Sequence, residues 1–167
     1  MRITRLLLVL PLIVAFALPA AADFKGGLDF FKKGDYGRAK AEFEALAKQG
    51  MAAAQTNLGL MYSKGYGVTR DESEAVRWYR LAAEQAQPQA QNNLGFMYVN
   101  GEGGPRDDVL GLMWLRLAVE SGYSAAGRSV QILEKRMTLA EVALAKRFAA
   151  LWKEKWALAK TKVSQKP

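Results

Sequence analysis

The chain has 167 residues, half of them hydrophobic, with 24 Lys and Arg against 16 Asp and Glu for a formal charge of +8. Such near-average composition argues against wholesale disorder and against a multi-span membrane protein, and the length suits about one domain. There is no Cys and no His, which excludes disulfide staples, thiolate metal sites, Cys nucleophiles and every mechanism that needs an imidazole.

The first 22 residues read as a secretory signal. Arg2 and Arg5 supply positive charge, Leu6 to Leu18 is apolar and broken by Pro11, and Ala20, Ala21 and Ala22 precede Asp23, the three parts of a cleavable leader. The alternative is a retained anchor, for which a 17-residue apolar stretch holding Pro11 and Pro19 is short against a ~30 Å hydrocarbon core. Cleavage near Ala22 predicts an exported chain, periplasmic or secreted, for which nucleic acid is not an expected partner.

Residues 23–50 read as a shortened first helix pair, turning near Gly34 and Asp35, with Ala39, Phe43 and Ala47 on one face of the second helix. Residues 54–86 and 90–122 then repeat one another. Shifted by 36, Ala54 to Gln85 and Ala90 to Ser121 are identical at 16 of 32 positions, and a period of 20–50 residues marks stacked supersecondary units that cannot bury their apolar faces alone. In each unit the first helix places small and large residues at helical spacing, as in Ala54, Leu58 and Tyr62 beside Gly59. Asp71 with Glu74 three positions on opens the second helix as a capping box, and Ala75, Tyr79, Ala82 and Ala86 form its stripe. Residues 124–160 read as a capping pair whose last helix opens at Thr138 with Glu141 completing a second capping box, and 161–167 as a flexible basic tail. Eight helices result, an all-α stack of about four pairs.

The strings Ala-Gln-x-Asn-Leu-Gly-x-Met-Tyr at 54–62 and 90–98, each followed by Gly-x-Gly, Arg-Asp and Trp-x-Arg-Leu-Ala, resemble Sel-one-like repeats, a subclass of tetratricopeptide-like helical repeats. The resemblance covers Ala54 to Gly122. It implies a right-handed α/α superhelix, a role as adaptor or scaffold in protein–protein interaction without intrinsic catalysis, and many exported bacterial members. Gly111, where the family usually has Ala, and Gly104-Pro105, in place of Val68-Thr69, depart from the pattern and make the second unit less regular.

Residues recurring in both units, Leu58, Gly59, Tyr62 and Trp78 with Leu94, Gly95, Tyr98 and Trp114, are expected to pack repeat on repeat. Asn57 and Asn93 are open between bridging repeats and lining a concave face. Positions free to vary are the candidates for partner specificity: Thr56 against Asn92, Lys64 against Asn100, and Tyr66 against Glu102. The Gly-rich loops follow no strand and lack the ending of a phosphate-binding loop; a tight turn explains them. Paired acids such as Asp71 with Glu72 are explained by helix starts. No cofactor, metal or small-molecule substrate is expected, and although a hydrolase using a Ser-Lys or two-carboxylate site is conceivable, no spacing points to one.

Charge is segregated. Asp23 to Gly127 carries 12 basic and 13 acidic residues, Arg128 to Pro167 ten basic and three acidic. In the last helix Val142, Ala145, Ala149, Trp152 and Trp156 form an apolar seam, and Lys146, Arg147, Lys153 and Lys160 leave other faces positive. Two functions therefore stand: an exported scaffold gripping another protein in a concave surface, and a module docking on an anionic lipid or cell-wall surface through this basic end.

Overall fold

A computed structural model of the chain describes residues 22–164. The expected signal segment lies, Ala22 excepted, outside the described residues. The chain forms α1 (Phe24–Lys32), α2 (Tyr36–Lys48), α3 (Ala52–Lys64), α4 (Glu72–Ala83), α5 (Pro88–Asn100), α6 (Asp108–Glu120), a 3-10 turn (Ser124–Ala126), α7 (Gly127–Arg136) and α8 (Leu139–Ser164). Among the described residues the architecture is all-α, eight helices of which α1 to α6 stack as three adjacent pairs and α7 and α8 follow. None of the described helices is long and apolar enough to cross a membrane.

Helix starts recur with the period. Asp35, Asp71 and Asp107, 36 residues apart, cap α2, α4 and α6 by accepting the N–H of Arg38 (3.1 Å), Glu74 (2.9 Å) and Leu110 (2.8 Å), each satisfying an otherwise orphaned donor. The box expected at Asp71 is half made: the Asp71 N–H already donates to Tyr62 O (3.0 Å), so the Glu74 carboxylate turns to Arg77 (2.6 Å). The box at Thr138 is complete, with the Thr138 N–H on Glu141 (2.8 Å) and the Glu141 N–H on the threonine hydroxyl (3.3 Å). Helix α4 stops at Ala83, three residues before the apolar stripe does, because Ala86 turns left-handed at φ 62°. At the other extreme α8 continues to Ser164, past the Thr161 boundary expected for a mobile tail.

Consecutive helices from α1 to α6 pack on one another, and α7 and α8 both lie against α6. Each of the first three pairs closes a glycine of its first helix onto a side chain of its second. A Cβ added at Gly27 would come within 2.8 Å of the Phe43 ring, at Gly59 within 2.6 Å of the Tyr79 ring, and at Gly95 within 2.8 Å of Leu115 Cγ. Leucine 115 is smaller than its counterpart Tyr79, and Gly111 is smaller than its counterpart Ala75. A Cβ at Gly111 would sit 2.5 Å from Val99 and 3.1 Å from Gly95 O. Gly111 is thus a matched change, correcting its reading as an irregularity: with the wide ring gone, α6 approaches the backbone of α5 and keeps the interior close-packed.

The loops also join units. Gly67 and Gly103, at φ 66° and 71°, press on the first residue of the preceding unit's second helix. A Cβ at Gly67 would be 2.4 Å from Tyr36, and one at Gly103 would be 2.5 Å from the carbonyl oxygen of Glu72. The glycines therefore do more than turn the chain, which was their expected role; they admit one repeat to the backbone of the next.

Candidate functional site

Between α3 and α5, the first helices of successive units, runs an open cleft of about 230 Å³. Leu60, Ser63 and Lys64 line it from α3 and Asn93, Phe96 and Asn100 from α5, with Met97 and Tyr79 beneath and Arg70 and Glu102 at the loop end. Of the eight positions proposed for partner contact, Lys64, Asn93, Asn100 and Glu102 come together here.

The remaining four lie elsewhere. Thr56 and Asn92 are 4% and 7% exposed, so the expectation that they face a partner is corrected: the Thr56 hydroxyl donates to Ala52 O (2.8 Å) and the Asn92 amide to Asn93 Oδ1 (3.3 Å). Both satisfy themselves locally inside the stack, which is why a polar residue is tolerated there. Asn57 donates to Ala53 O one turn back (2.8 Å) and bridges no repeats through that bond. Tyr66 stacks on Tyr36 (5.0 Å between rings) and meets Phe31 edge-on. The counterparts of Tyr36 and Tyr66 one repeat on are Glu72 and Glu102, two carboxylates that cannot stack, and Glu102 instead accepts from Asn100 (3.1 Å).

The residues shared by both units lie in the packing. Leu58, Gly59, Leu94, Gly95, Trp78 and Trp114 are buried, Tyr62 and Tyr98 half-buried. Trp78 joins Phe43 and Ala47 of the preceding unit and Leu58 of its own in one core cluster, and Trp114 joins Tyr79 and Ala82 of the preceding unit and Leu94 of its own in another, so each tryptophan holds two units together. The Tyr98 hydroxyl accepts from Arg80 across the same joint (2.7 Å).

The floor of the cleft is rigid and its rim polar. Burial holds the Tyr79 phenol above its ordinary pKa, partly offset by hydrogen bonds with Ser63 and Asn93, so it stays protonated as a neutral donor. Lys64 is exposed without an ion-pair partner among the described residues, whereas Arg70 at the loop end is tied to Glu72. Phe96, 39% exposed, stands between Asn93 and Asn100 on α5. These amides lie seven residues apart, about 10 Å along the helix, a span matched by about three residues of extended peptide. Each offers both a donor and an acceptor, as a peptide backbone requires. Leu60, Ser63, Arg70 and Phe96 escaped the sequence reading, although Leu60 and Phe96 are themselves a pair that varies between units.

The basic end offers less free charge than its composition suggests. Lys153 pairs with Glu120 (2.6 Å), Lys146 lies 3.9 Å from Glu134, and the Lys160 ammonium sits 3.9 Å over the Trp156 ring. Arg147 alone of the four proposed cations has neither an acidic nor an aromatic partner among the described residues. Among the described residues no cluster of acidic side chains is arranged to hold a metal ion.

The Sel1 repeat family model matches residues 52–86 and 88–123. Among solved structures, the chain is similar to c5321, a protective antigen present in uropathogenic Escherichia coli strains that displays an SLR fold. The two are 31% identical with a TM-score of 0.74 over 84% of this chain and 32% of that one. It is also similar to a Sel1 repeat protein from Oxalobacter formigenes, at 27% identity and a TM-score of 0.55 over 66% of this chain and 60% of that one. The chain thus spans about a third of the length of c5321. No curated protein matches the sequence. The chain thus carries two tandem Sel1 repeats within a helical-repeat fold that it shares with these structures.

Proposed function

We propose that this protein is an exported, non-catalytic scaffold that grips an extended segment of another protein in the cleft between α3 and α5. The observation that carries the reading is the convergence of positions free to vary between repeats, Lys64, Asn100 and Glu102, on one groove whose floor is built from Tyr79 and Met97. At about 230 Å³ the cleft is below the range of pockets that enclose a drug-sized ligand, and it suits one or two side chains of a peptide. Phe96 supplies an exposed aromatic anchor, the residue type that dominates interface energetics. Lys64 favours an acidic residue in the bound segment. Export rests on the leader pattern of residues 1–22.

The test is crosslinked capture from envelope extract with the wild-type chain and with Phe96→Ala, Asn100→Ala and Lys64→Glu, each exposed enough to leave folding intact. A protein captured by the wild type should be lost from all three variants and kept by Arg38→Glu, a change on the surface of the first unit. Retention by all three would refute the assignment of the cleft. Export is tested separately by the mass of the chain recovered from the envelope fraction, which should begin at Asp23.

A further inference from the structure

Helix α8 carries two apolar faces. One, formed by Val142, Ala145 and Ala149 with Trp152 beyond them, is packed into the solenoid. On the other, Leu144, Leu151 and Leu158 recur every seven residues and are 40%, 51% and 59% exposed. A seven-residue repeat drifts by only about 20° per heptad on a straight helix, so these leucines form a single line about 21 Å long. Beside that line stand Arg147 and Glu154, both exposed and both without a salt bridge among the described residues. Being seven residues apart, they are about 10 Å from one another along the helix and cannot pair within one chain.

We infer that this face is a self-association surface on which two copies of the chain pair their α8 helices antiparallel about a two-fold axis near Leu151. The charges select this occupant and this orientation. Reversing one helix brings Arg147 of each copy to Glu154 of the other, making two reciprocal ion pairs from groups that have none alone. A parallel two-fold pairing puts the two flanks that carry Arg147 and Glu154 on opposite sides of the seam and gains neither ion pair. In the antiparallel pair Leu151 lies at the centre, and Leu144 approaches the end of the partner helix that carries Leu158, so the apolar line is covered along its length. Lys155, the other cation near the seam, lines the gap toward Glu84 and Trp156. With three leucines per copy the seam is short, and the dimer dissociates at micromolar rather than nanomolar concentration.

Sedimentation velocity on the full chain, from micromolar to near-millimolar concentration, tests this. The wild type should pass from monomer to dimer, and Leu151→Glu should stay monomeric. Arg147→Glu and Glu154→Arg should each weaken association about tenfold, because each replaces both ion pairs by like charges. An equimolar mixture of those two variants should recover it, since every pair is again of opposite sign, and so should the double variant Arg147→Glu/Glu154→Arg. All these positions face solvent, and an unchanged urea midpoint at a concentration where the chain is monomeric checks that the fold is intact. A wild type that is monomeric throughout, or a mixture that associates no better than its components, overturns the inference. So does a monomer that binds phosphatidylglycerol vesicles through Leu151, which would give the face to lipid.

Discussion

The two repeats carry the same buried joint in two states, which allows its strength to be measured. In the first, the buried Gln55 donates its amide to Ala47 O (3.2 Å) and its Oε1 accepts from Gln85 (2.8 Å). In the second, the fully buried Gln91 donates to Ala83 O (3.3 Å), but its Oε1 has no partner. The counterpart of Gln85 there is Ser121, whose side chain is too short to reach. Gln85→Ser should therefore reproduce the defect in the first joint. A hydrogen bond contributes about 1 kcal/mol net, and a buried acceptor left without a partner costs about 1–3 kcal/mol. Freeing the exposed Gln85 side chain returns part of this as rotamer entropy, so the expected loss is about 1–2 kcal/mol. Conversely Ser121→Gln should stabilise by about 1 kcal/mol, or about 3–4 °C in Tm. Urea unfolding followed by tryptophan fluorescence reads both changes as shifts in midpoint at constant slope. A Gln85→Ser chain within about 0.3 kcal/mol of wild type would refute the reasoning, as would a Ser121→Gln chain that is less stable.

Other consequences follow from the same packing. Gly103→Ala combines a left-handed conformation with a Cβ 2.5 Å from a backbone carbonyl, and should lower stability by about 3 kcal/mol, against well under 1 kcal/mol for Gly104→Ala, which meets nothing, in the same urea titration. Asp108 accepts from Arg106 (2.8 Å) and from Arg136 (3.1 Å), joining the second unit to α7, and chiefly Arg106 holds its pKa below the ordinary carboxylate value. Its contribution is present above the unfolded-state pKa of about 4 and is lost as pH falls through the lower folded-state value. Asp108→Asn should thus cost about 1 kcal/mol at neutral pH and show a shallower decline of urea midpoint below about pH 4. Ending the chain after Arg136 removes Val142, Ala145 and Ala149 from the core and uncovers Trp114, against which Trp152 rests. It should abolish cooperative unfolding and raise binding of an apolar dye, so it is no clean deletion of the basic charge alone.

The sequence alone determined the repeat, the eight helices and the residues that hold one unit to the next. A stacked repeat must present the same side chains to the same neighbours every 36 residues, and packing therefore writes itself as identity: Leu58 with Leu94, Trp78 with Trp114. Capping aspartates obey the same rule, because every second helix leaves the same N–H groups to satisfy.

What varies between repeats is ambiguous by that logic. Thr56 and Asn92 differ and are buried, Lys64 and Asn100 differ and line the cleft, and Tyr66 differs from Glu102 because their neighbours Tyr36 and Glu72 also differ. Helices α3 and α5 each lie between two other helices, so their apolar residues do not fall on one face, and helical spacing alone cannot tell inside from outside. Only the tertiary structure decided which variable positions meet in a groove and that Gly111 answers Leu115. It likewise decided that Trp152 is packed into the solenoid while Leu151 is left facing solvent. Those facts depend on contacts between residues distant in the chain, and no local period carries them.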